Sequence, residues 1–483
     1  MRIIRIFLFL SALSLCAAAC SKADTEQEKT RLYVNTFARD YMKSWYLWNK
    51  EIGKDLDAWE NTEEPVAKVA KIRYKDAKGD DIDRWTMVTD DFDSFYGSVS
   101  GNRKTYGFGF VLYYTDDTRT SLCAVVTFTY AGSPAEKAGL KRGDAIFKVN
   151  GRTIPAKDYS RIVSELMGGD RLTAELYDGR TVTLEAREMY EDPVLLDKVF
   201  EFDGKRVGYL VYTSFTLDSY RELTDACARF KEAGVKELIL DLRYNGGGYV
   251  VTENVLASLL APEAEVLAGS VFEKEVYNAA LTRELGSGLN KFKTEFYFTS
   301  DGEDYEFSTK GANIGLSRIY AIIDSGTASA AESILTGLLP YMDIVLIGGQ
   351  SHGKYCGGIM YSAKDWYKDN RKYMDEDVYE TGIEQAGTWG IYVIYERYAD
   401  KNGVTPCMPD GFVPDIPVDD NPQEARDLGD PKETMLAVAL AQAGYVESAP
   451  LSAEAPKAAL PGAVRVADAP KKAAFGVRLE LPE

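Results

Sequence analysis

The spacing of hydrophobic and polar positions changes twice along the chain and separates three regions. In residues 30–96, aromatic side chains such as Tyr41 and Trp45 recur every three or four positions, which predicts amphipathic helices. Residues 101–190 consist of short apolar runs separated by turn residues, which indicates a β-rich domain. In residues 200–430, apolar strands alternate with helices, an order typical of α/β domains. The pattern therefore predicts a multidomain α/β protein with a helical N-terminal part.

The elements of the α/β region are the most clearly delimited. We expect strands at residues 207–215, 237–242, 318–323 and 344–347, and helices at residues 218–233 and 253–261. After residue 443 the chain is rich in Ala and Pro without periodicity, which predicts a solvated, flexible tail over residues 444–483.

The first 19 residues are typical of an export signal, with a basic start, an apolar run at residues 6–15 and small residues at 17–19. The apolar run is too short for a membrane-spanning helix. Cys20 follows directly, and this arrangement resembles the cleavage box of bacterial lipoproteins, in which the cysteine carries the lipid. Ala17 departs from that box, which usually has a branched apolar residue there, so cleavage without lipidation is the alternative. The resemblance implies a protein anchored through Cys20 to the outer membrane of a Gram-negative-type cell envelope, on its periplasmic or outer face.

Together these patterns predict six segments. They are a signal peptide at 1–19, a lipid-anchored tether at 20–30, a helical N-terminal domain at 31–97, a β-rich domain at 98–190, an α/β core at 195–443 and the tail at 444–483.

Composition narrows the chemistry that is open to the protein. Acidic residues outnumber basic ones by 75 to 56, and the net charge of -19 disfavours binding to nucleic acid. The chain has one histidine, so a zinc site of the HExxH type or any multi-histidine metal site is excluded. A Ser-His-Asp triad would have to use His352. We therefore expect no metal and no cofactor.

The chain has six cysteines, of which Cys16 and Cys20 lie in or next to the signal sequence. Cys123 and Cys227 lie in a strand-like run and on the apolar side of a predicted helix, so core packing is their simplest role. Cys356 and Cys407 both lie in Gly/Pro-rich loops, and export would permit them to form a disulfide. Four cysteines allow three pairings, so this one is a guess.

A glycine-rich run, Tyr106-Gly107-Phe108-Gly109-Phe110, opens the β-rich region. A Ser-Pro-Ala helix start at residue 133, an Asn-Gly turn at residue 150 and a helix at residues 158–167 follow. This combination resembles a PDZ domain. The resemblance implies that Tyr106–Phe110 binds the terminal carboxylate of a peptide, with Ile162 and Leu166 of the helix lining the groove. The alternative is that the glycines merely start a strand.

Two segments of the α/β region could carry catalysis. The first is a buried strand followed by Asn245-Gly246-Gly247-Gly248, where bare backbone N–H groups could approach an oxyanion. The second is a strand followed by Ser329-Ala330-Ala331-Glu332 and a helix. Ser329 would lie at the helix N-terminus, where the Ala330 N–H could help to bind an oxyanion. The same four residues also fit a capping box.

The order of these segments, with Gly353-Lys354 25 residues after Ser329, resembles the S41 family of C-terminal processing (tail-specific) peptidases. The resemblance implies a core of the ClpP/crotonase-like type. It also implies that Ser329 is the nucleophile, Lys354 its general base, and the N–H groups of Gly246, Gly247 and Ala330 the oxyanion hole. A lysine base needs a pKa of roughly 7 to 8 instead of ~10.4, so Lys354 must be shielded from water.

Many members of that family carry a Gln four residues after the lysine that helps to orient it, whereas this chain has Gly358. Another residue then orients the lysine, or the chain belongs to a branch without the Gln, or its activity is weakened. His352, two residues before Lys354, is an alternative base.

The leading hypothesis is an exported serine endopeptidase that uses a Ser/Lys dyad and an acyl-enzyme and recognises the C-terminal segments of protein substrates. The missing Gln motivates a second hypothesis, a non-catalytic peptide-binding lipoprotein on a peptidase-like scaffold. A third is a carrier of small apolar ligands.

Overall fold

The computed structural model describes residues 26–115, 118–157, 159–300, 303–445 and 464–466. The predicted signal peptide, the lipidation site Cys20 and residues 446–463 and 467–483 of the predicted tail lie outside the described residues. Within the described part of the chain, none of the helices combines the length and the apolar character that a bilayer crossing requires.

The N-terminal part is mainly helical and leads into a β-rich region. The N-terminal elements are α1 (Glu26–Trp45), α2 (Gly53–Asp57), α3 (Pro65–Ile72), β1 (Met87–Thr89) and α4 (Phe92–Ser100). The β-rich region contains β2 (Asn102–Thr105), β3 (Phe108–Tyr114), β4 (Ser121–Thr129), α5 (Pro134–Lys137), β5 (Ala145–Val149), β6 (Arg152–Pro155), α6 (Ser160–Met167), β7 (Arg171–Leu176), β8 (Thr181–Glu185) and β9 (Arg187–Tyr190).

The remaining elements build the α/β core. They are β10 (Val194–Phe202), β11 (Lys205–Tyr212), α7 (Tyr220–Glu232), β12 (Glu237–Asp241), α8 (Val250–Leu260), α9 (Glu263–Ala268), β13 (Val271–Tyr277), α10 (Ala279–Leu285), β14 (Gly288–Lys291), β15 (Glu295–Ser300), β16 (Glu303–Ser308), β17 (Arg318–Ile323), α11 (Ala330–Leu338), β18 (Asp343–Gly348), β19 (Cys356–Ser362), α12 (Ala363–Asn370), α13 (Glu376–Ala386), β20 (Gly390–Ala399), β21 (Ile416–Pro417) and α14 (Thr434–Gln442). A last strand, β22 (Val464–Arg465), pairs with the β-rich region.

The centre of the core is a six-stranded sheet in the order β10-β11-β12-β17-β18-β21. Neighbouring strands from β11 to β21 are parallel, as expected for alternating strands and helices, and β10 is antiparallel to β11. The segments that follow β12, β17 and β18 therefore leave the sheet at the same edge. These are the segments that contain the glycine turn, Ser329 and Lys354.

A second core sheet has the order β1-β20-β13-β14, and β19 also pairs with β20. Because β1 belongs to the N-terminal part, this sheet joins that part to the core. Side chains of α1, including Phe37 and Met42, lie in the same hydrophobic cluster as Ile394 and Leu335 of the core. The N-terminal helices thus pack as an integral part of the core.

The β-rich region has its own hydrophobic cluster and a sheet in the order β22-β3-β4-β6-β5-β7-β8. The predicted helix at residues 158–167 is α6, and its Ile162, Val163 and Leu166 are buried in this cluster. Residues 464–466, which belong to the segment predicted as a solvated tail, lie on the edge of the sheet beside β3.

The guess that Cys356 and Cys407 form a disulfide is wrong, because both are free thiols, as are Cys123 and Cys227. Cys356 begins β19 rather than lying in a loop, and Cys407 Sγ lies 3.6 Å from the Tyr398 hydroxyl. All four thiols are buried, and burial raises the pKa of each of them.

Candidate active site

Ser329 occupies a strained turn between β17 and α11. Its backbone angles are φ 57° and ψ -123°, a region that residues with a side chain rarely adopt. It is 2% exposed and directly precedes the first helical residue, Ala330. The Ser329 N–H donates to the Glu332 carboxylate at 3.2 Å, which is the Glu arm of the predicted capping box. The candidate nucleophile thus lies at the N-terminus of α11, and its backbone N–H is bonded to Glu332.

The glycine turn after β12 lies directly against Ser329. A Cβ added to Gly247 would come within 2.7 Å of Ser329 Cβ and 3.0 Å of the Ala330 nitrogen, so a side chain there would collide. The Ala328 N–H donates to the Asn245 carbonyl at 3.0 Å and ties the two loops together. The Gly247 N–H donates to Asn245 Oδ1 at 2.9 Å. Its predicted donation to an oxyanion would require that bond to be given up.

Lys354 is fully buried at the start of the strand pair β19–β20. Its Nζ donates to the Tyr392 hydroxyl at 2.8 Å and lies 5.7 Å from the centre of the Trp85 ring. Burial lowers the pKa of the Lys354 ammonium from 10.5 to about 8, against the weaker opposing effects of Cys356, Asp83 and Glu332. The side chain therefore meets the solvent shielding that the sequence led us to expect.

Two side chains hold the backbones of Ser329 and Lys354 together. The Glu332 carboxylate accepts the N–H groups of Ser329 at 3.2 Å and Lys354 at 2.8 Å, and also the Gly353 N–H at 2.7 Å. The Tyr398 hydroxyl lies 2.6 Å from the Lys354 carbonyl oxygen and 3.4 Å from that of Ser329. The backbones of the predicted nucleophile and base are thus bonded to the same two side chains.

Tyr392 occupies the space that a side chain at position 358 would need. A Cβ added to Gly358 would lie 2.2 Å from Tyr392 Cζ and 2.5 Å from its hydroxyl oxygen. That hydroxyl is the group that contacts Lys354 Nζ. The glycine at position 358, where the Gln would be, leaves room for Tyr392 of the neighbouring strand, and Tyr392 contacts Lys354 instead. No local pattern in the sequence indicated this contact.

His352, the alternative base, lies close to Trp85. It is partly exposed, and the centres of its ring and the Trp85 ring are 6.2 Å apart. Its backbone N–H donates to the Thr327 carbonyl at 2.9 Å. His352 is thus more exposed than the fully buried Lys354.

A cavity of about 140 Å³ lies between the β-rich region and the core. Tyr106, Gly107, Phe108, Gly109, Phe110 and Leu166 line it, as the predicted peptide groove requires, whereas Ile162 is buried in the cluster beneath. Asp324, Ser325 and Gly326, which lead to Ser329, line its other side. The predicted peptide groove therefore lies directly beside the loop that leads to the candidate nucleophile Ser329.

A buried cluster of charges supports the glycine turn from below. Arg243, fully buried, donates to Asp241, Asp420 and Glu433, and Arg142 from the β-rich region also pairs with Asp420 at 2.6 Å. The two guanidinium groups hold the pKa of the Asp420 carboxyl well below its usual range. Asp241 and Arg243 lie just before the glycine turn in the sequence, whereas Asp420 and Glu433, with which Arg243 pairs, lie near the end of the core.

Comparison with known proteins identifies two domains. Residues 206–418 match the family model described as peptidase family S41, and residues 125–176 match the model described as PDZ domain. The chain therefore carries an S41 peptidase domain together with a PDZ domain, as the motifs predicted.

Two curated bacterial relatives are similar to the chain over about half of its length. Carboxy-terminal processing protease CtpA of Bacillus subtilis (strain 168) is 27% identical over 241 residues, which cover 49% of this chain and 44% of that protein. A probable CtpA-like serine protease of Staphylococcus aureus (strain COL) is 25% identical over 245 residues, which cover 51% of this chain and 44% of that protein. The chain thus spans less than half the length of these relatives.

The fold extends over most of a known crystal structure from Bacteroides fragilis NCTC 9343, assigned to the S41 proteases. The TM-score is 0.61 at 22% identity, and the match covers 85% of this chain and 97% of that one. This likeness of fold confirms the predicted multidomain α/β architecture.

Proposed function

We propose that this chain, whose S41 peptidase domain lies beside a PDZ domain, is a serine endopeptidase that processes the C-terminal parts of exported proteins. The observation that carries the proposal is the fully buried Lys354, joined to the strained Ser329 through Glu332 and Tyr398. An amine in such a place is suited to accept a proton from a neighbouring hydroxyl, because burial disfavours its charged form.

The proposed reaction has two steps. Neutral Lys354 Nζ takes the proton from Ser329 Oγ, which attacks the substrate carbonyl, and the amine leaves with the proton held by Lys354. Lys354 then takes a proton from water, whose oxygen attacks the ester on Ser329. The bond between Ser329 Oγ and the acyl carbon breaks, Ser329 Oγ takes the proton back from Lys354, and the new C-terminus is released. The proposed donors to the oxyanion are the N–H groups of Ala330 and Gly246, since the Gly247 N–H donates to Asn245 Oδ1.

The rate of cleavage is expected to rise with pH and to level off above a midpoint near 8, because the base must be neutral and burial lowers the pKa of Lys354 to about 8. The measurement is the initial rate of cleavage of a permanently unfolded protein substrate between pH 6 and 10. The Ser329→Ala variant serves as the blank and is expected to be inactive. A midpoint near the ordinary histidine pKa of ~6.5 would assign the base to His352 instead.

We further propose that Tyr392 positions Lys354 in place of the Gln seen in related enzymes. Its hydroxyl is 2.8 Å from Lys354 Nζ and fills the space next to Gly358. Because Tyr392 acts through the lysine, its loss should lower kcat and leave KM nearly unchanged.

Variants at Tyr392 and Gly358 test whether Tyr392 positions Lys354. Tyr392→Phe is expected to lower kcat by about tenfold and to move the pH midpoint, since the hydroxyl contact with the amine is lost. Tyr392→Ala should lower kcat further, and adding Gly358→Gln to it should restore part of the loss. Gly358→Gln alone should be impaired, because its side chain would collide with Tyr392.

Full activity of Tyr392→Phe at an unchanged pH midpoint would contradict the positioning role. So would a double variant no more active than Tyr392→Ala, provided that both unfold at the same denaturant concentration.

The PDZ groove supports recognition of a peptide's C-terminal segment. The loop Tyr106–Phe110 and the catalytic loop face the same cavity, so a peptide held by the one would enter the site beside the other. Export through residues 1–19 and attachment to the envelope through Cys20 complete the proposal.

A further inference from the structure

A short segment near the end of the chain forms an additional strand on the PDZ sheet. Val464 pairs with Tyr114 and Arg465 with Tyr113, antiparallel to β3. The Val466 N–H donates to the Leu112 carbonyl at 2.9 Å, and the Val466 side chain packs against the hydrophobic cluster of the PDZ domain. The contact thus combines backbone pairing with burial of an apolar side chain.

The segment runs in the direction that a peptide ligand needs. Residue numbers rise from 464 to 466 as their partners fall from Tyr114 to Leu112, so the segment points towards the loop Tyr106–Phe110. A peptide whose carboxylate reaches that loop while it pairs with β3 must run in the same direction. Arg465 and Val466 also line the cavity at this end of the groove.

The segment also contacts the catalytic core. The Arg465 guanidinium pairs with Asp324 at 3.2 Å, and Asp324 is 6% exposed. The other oxygen of Asp324 accepts the N–H of Gly326 at 2.7 Å and the N–H of Tyr244 at 3.3 Å. Asp324 therefore joins the loop that leads to Ser329, the start of the glycine turn and the added strand.

We propose that residues 464–466 are an internal ligand of the PDZ groove, with which the C-terminal segment of a substrate must compete. The outer edge of β3 has one set of backbone N–H and C=O groups available for pairing, so it can pair with only one strand at a time. Occupation by the chain itself lowers the apparent affinity for a peptide in proportion to the fraction of molecules whose edge is free. This inference rests on the peptide-binding role of the PDZ domain, but not on catalysis.

The contacts of the segment also define the ligand that suits this part of the groove. A peptide strand with a basic residue opposite Tyr113, next to an apolar residue opposite Leu112, would reproduce the pairing of Arg465 with Asp324 and the packing of Val466. The expected partner is therefore an extended peptide with a basic residue followed by an apolar one.

Binding of a labelled peptide tests the proposal without any need for cleavage. The probe is the peptide Pro-Gly-Ala-Val-Arg-Val-Ala-Asp, which has the sequence of residues 461–468. Its dissociation constant is measured by fluorescence anisotropy with the full chain carrying Ser329→Ala, alone or together with Val466→Pro or Arg465→Glu. Val466→Pro removes the N–H that bonds Leu112, and Arg465→Glu places a negative charge beside Asp324.

Both variants are expected to bind the peptide at least about fivefold more tightly than the parent, because the internal strand no longer competes for the edge. Arg318→Glu, which changes an exposed arginine paired with Asp343, is the matched control and should leave the affinity unchanged. The same peptide with Arg replaced by Glu should bind more weakly to every protein. Equal affinity for the parent and both strand variants, or no binding to any of them, would overturn the proposal.

Discussion

Replacing Lys354 by methionine is expected to lower kcat/KM by about 10²- to 10⁴-fold, the usual contribution of a general base. The fold should nevertheless be retained, because methionine is a close apolar match for a fully buried lysine stem. Burial lowers the pKa of Lys354 to about 8, so keeping this amine charged at pH 7 costs the folded protein about 3 kcal/mol. The free energy of unfolding of Lys354→Met should therefore equal or exceed that of the wild type at pH 7.

The difference in stability between the wild type and Lys354→Met should depend on pH. The lysine is charged in the unfolded chain up to about 10.5 but loses its proton near 8 in the folded protein. The wild type should therefore gain stability relative to Lys354→Met as pH rises from 8 to 10.5. Urea unfolding at several pH values measures the difference. Lys364→Met, at an exposed lysine of α12, is the control and should change neither quantity. A fully active Lys354→Met variant would remove the proposed base.

Replacing Arg243 by methionine is expected to destabilise the protein by about 3–5 kcal/mol, since it leaves buried carboxylates with one cation fewer. Asp241, Asp420 and Glu433 all accept hydrogen bonds from this guanidinium, and Arg243 itself is 0% exposed. The measurement is the shift of the urea midpoint, together with the slope of the transition, which shows whether the two proteins unfold in the same way.

Arg318→Met is the matched control for Arg243→Met, because its ion pair with Asp343 is 44% and 73% exposed. Pairs of that kind contribute about 0–1 kcal/mol. If the two variants shift the urea midpoint equally, the buried Arg243 cluster contributes no more to stability than an exposed ion pair.

The same charge cluster also links the PDZ domain to the core. Arg142 of the PDZ domain reaches the same Asp420 and Tyr244, and Tyr244 begins the glycine turn beside Ser329. The PDZ domain is thus tied to the catalytic core by buried polar contacts as well as by the strand at residues 464–466. Both ties reach segments next to the candidate nucleophile Ser329, one at Tyr244 and the other at Asp324.

Two of the segments that carry candidate catalytic groups could be predicted from short-range patterns, whereas the assignment of Lys354 followed from the resemblance to the S41 family. A buried strand followed by glycines, and a strand followed by a serine at a helix start, each have a recognisable local sequence. The parallel order of β12, β17 and β18 then places the three segments at one sheet edge. The bounds of β17 agree with the predicted strand at 318–323, whereas β11 ends at Tyr212, three residues before the predicted end at 215.

The contacts of Tyr392 and Glu332 with Lys354 could not be predicted from the sequence. Glu332 has the spacing of a capping residue, and nothing local indicates that it also accepts the Lys354 N–H from another loop. Tyr392 meets Gly358 because β19 and β20 are antiparallel neighbours, and that register is decided by the pairing of whole strands. The disulfide between Cys356 and Cys407 was wrongly predicted for a similar reason. The glycines near Cys356 indicated a loop, whereas Cys356 begins the strand β19, and both thiols are free.

The sequence by itself predicted the change from a helical to a β-rich to an α/β region and the glycine turn, because periodicity, turn chemistry and helix starts act over a few residues. Its resemblance to the S41 family pointed to Ser329 and Lys354. The tertiary structure decided which groups surround the lysine, which carboxylates share Arg243, and that residues 464–466 lie in the PDZ groove. Each of these depends on residues far apart in the chain that meet only when the sheets have formed. The stability of these contacts and the lowered pKa of Lys354 both depend on burial away from water, which no short stretch of sequence achieves alone.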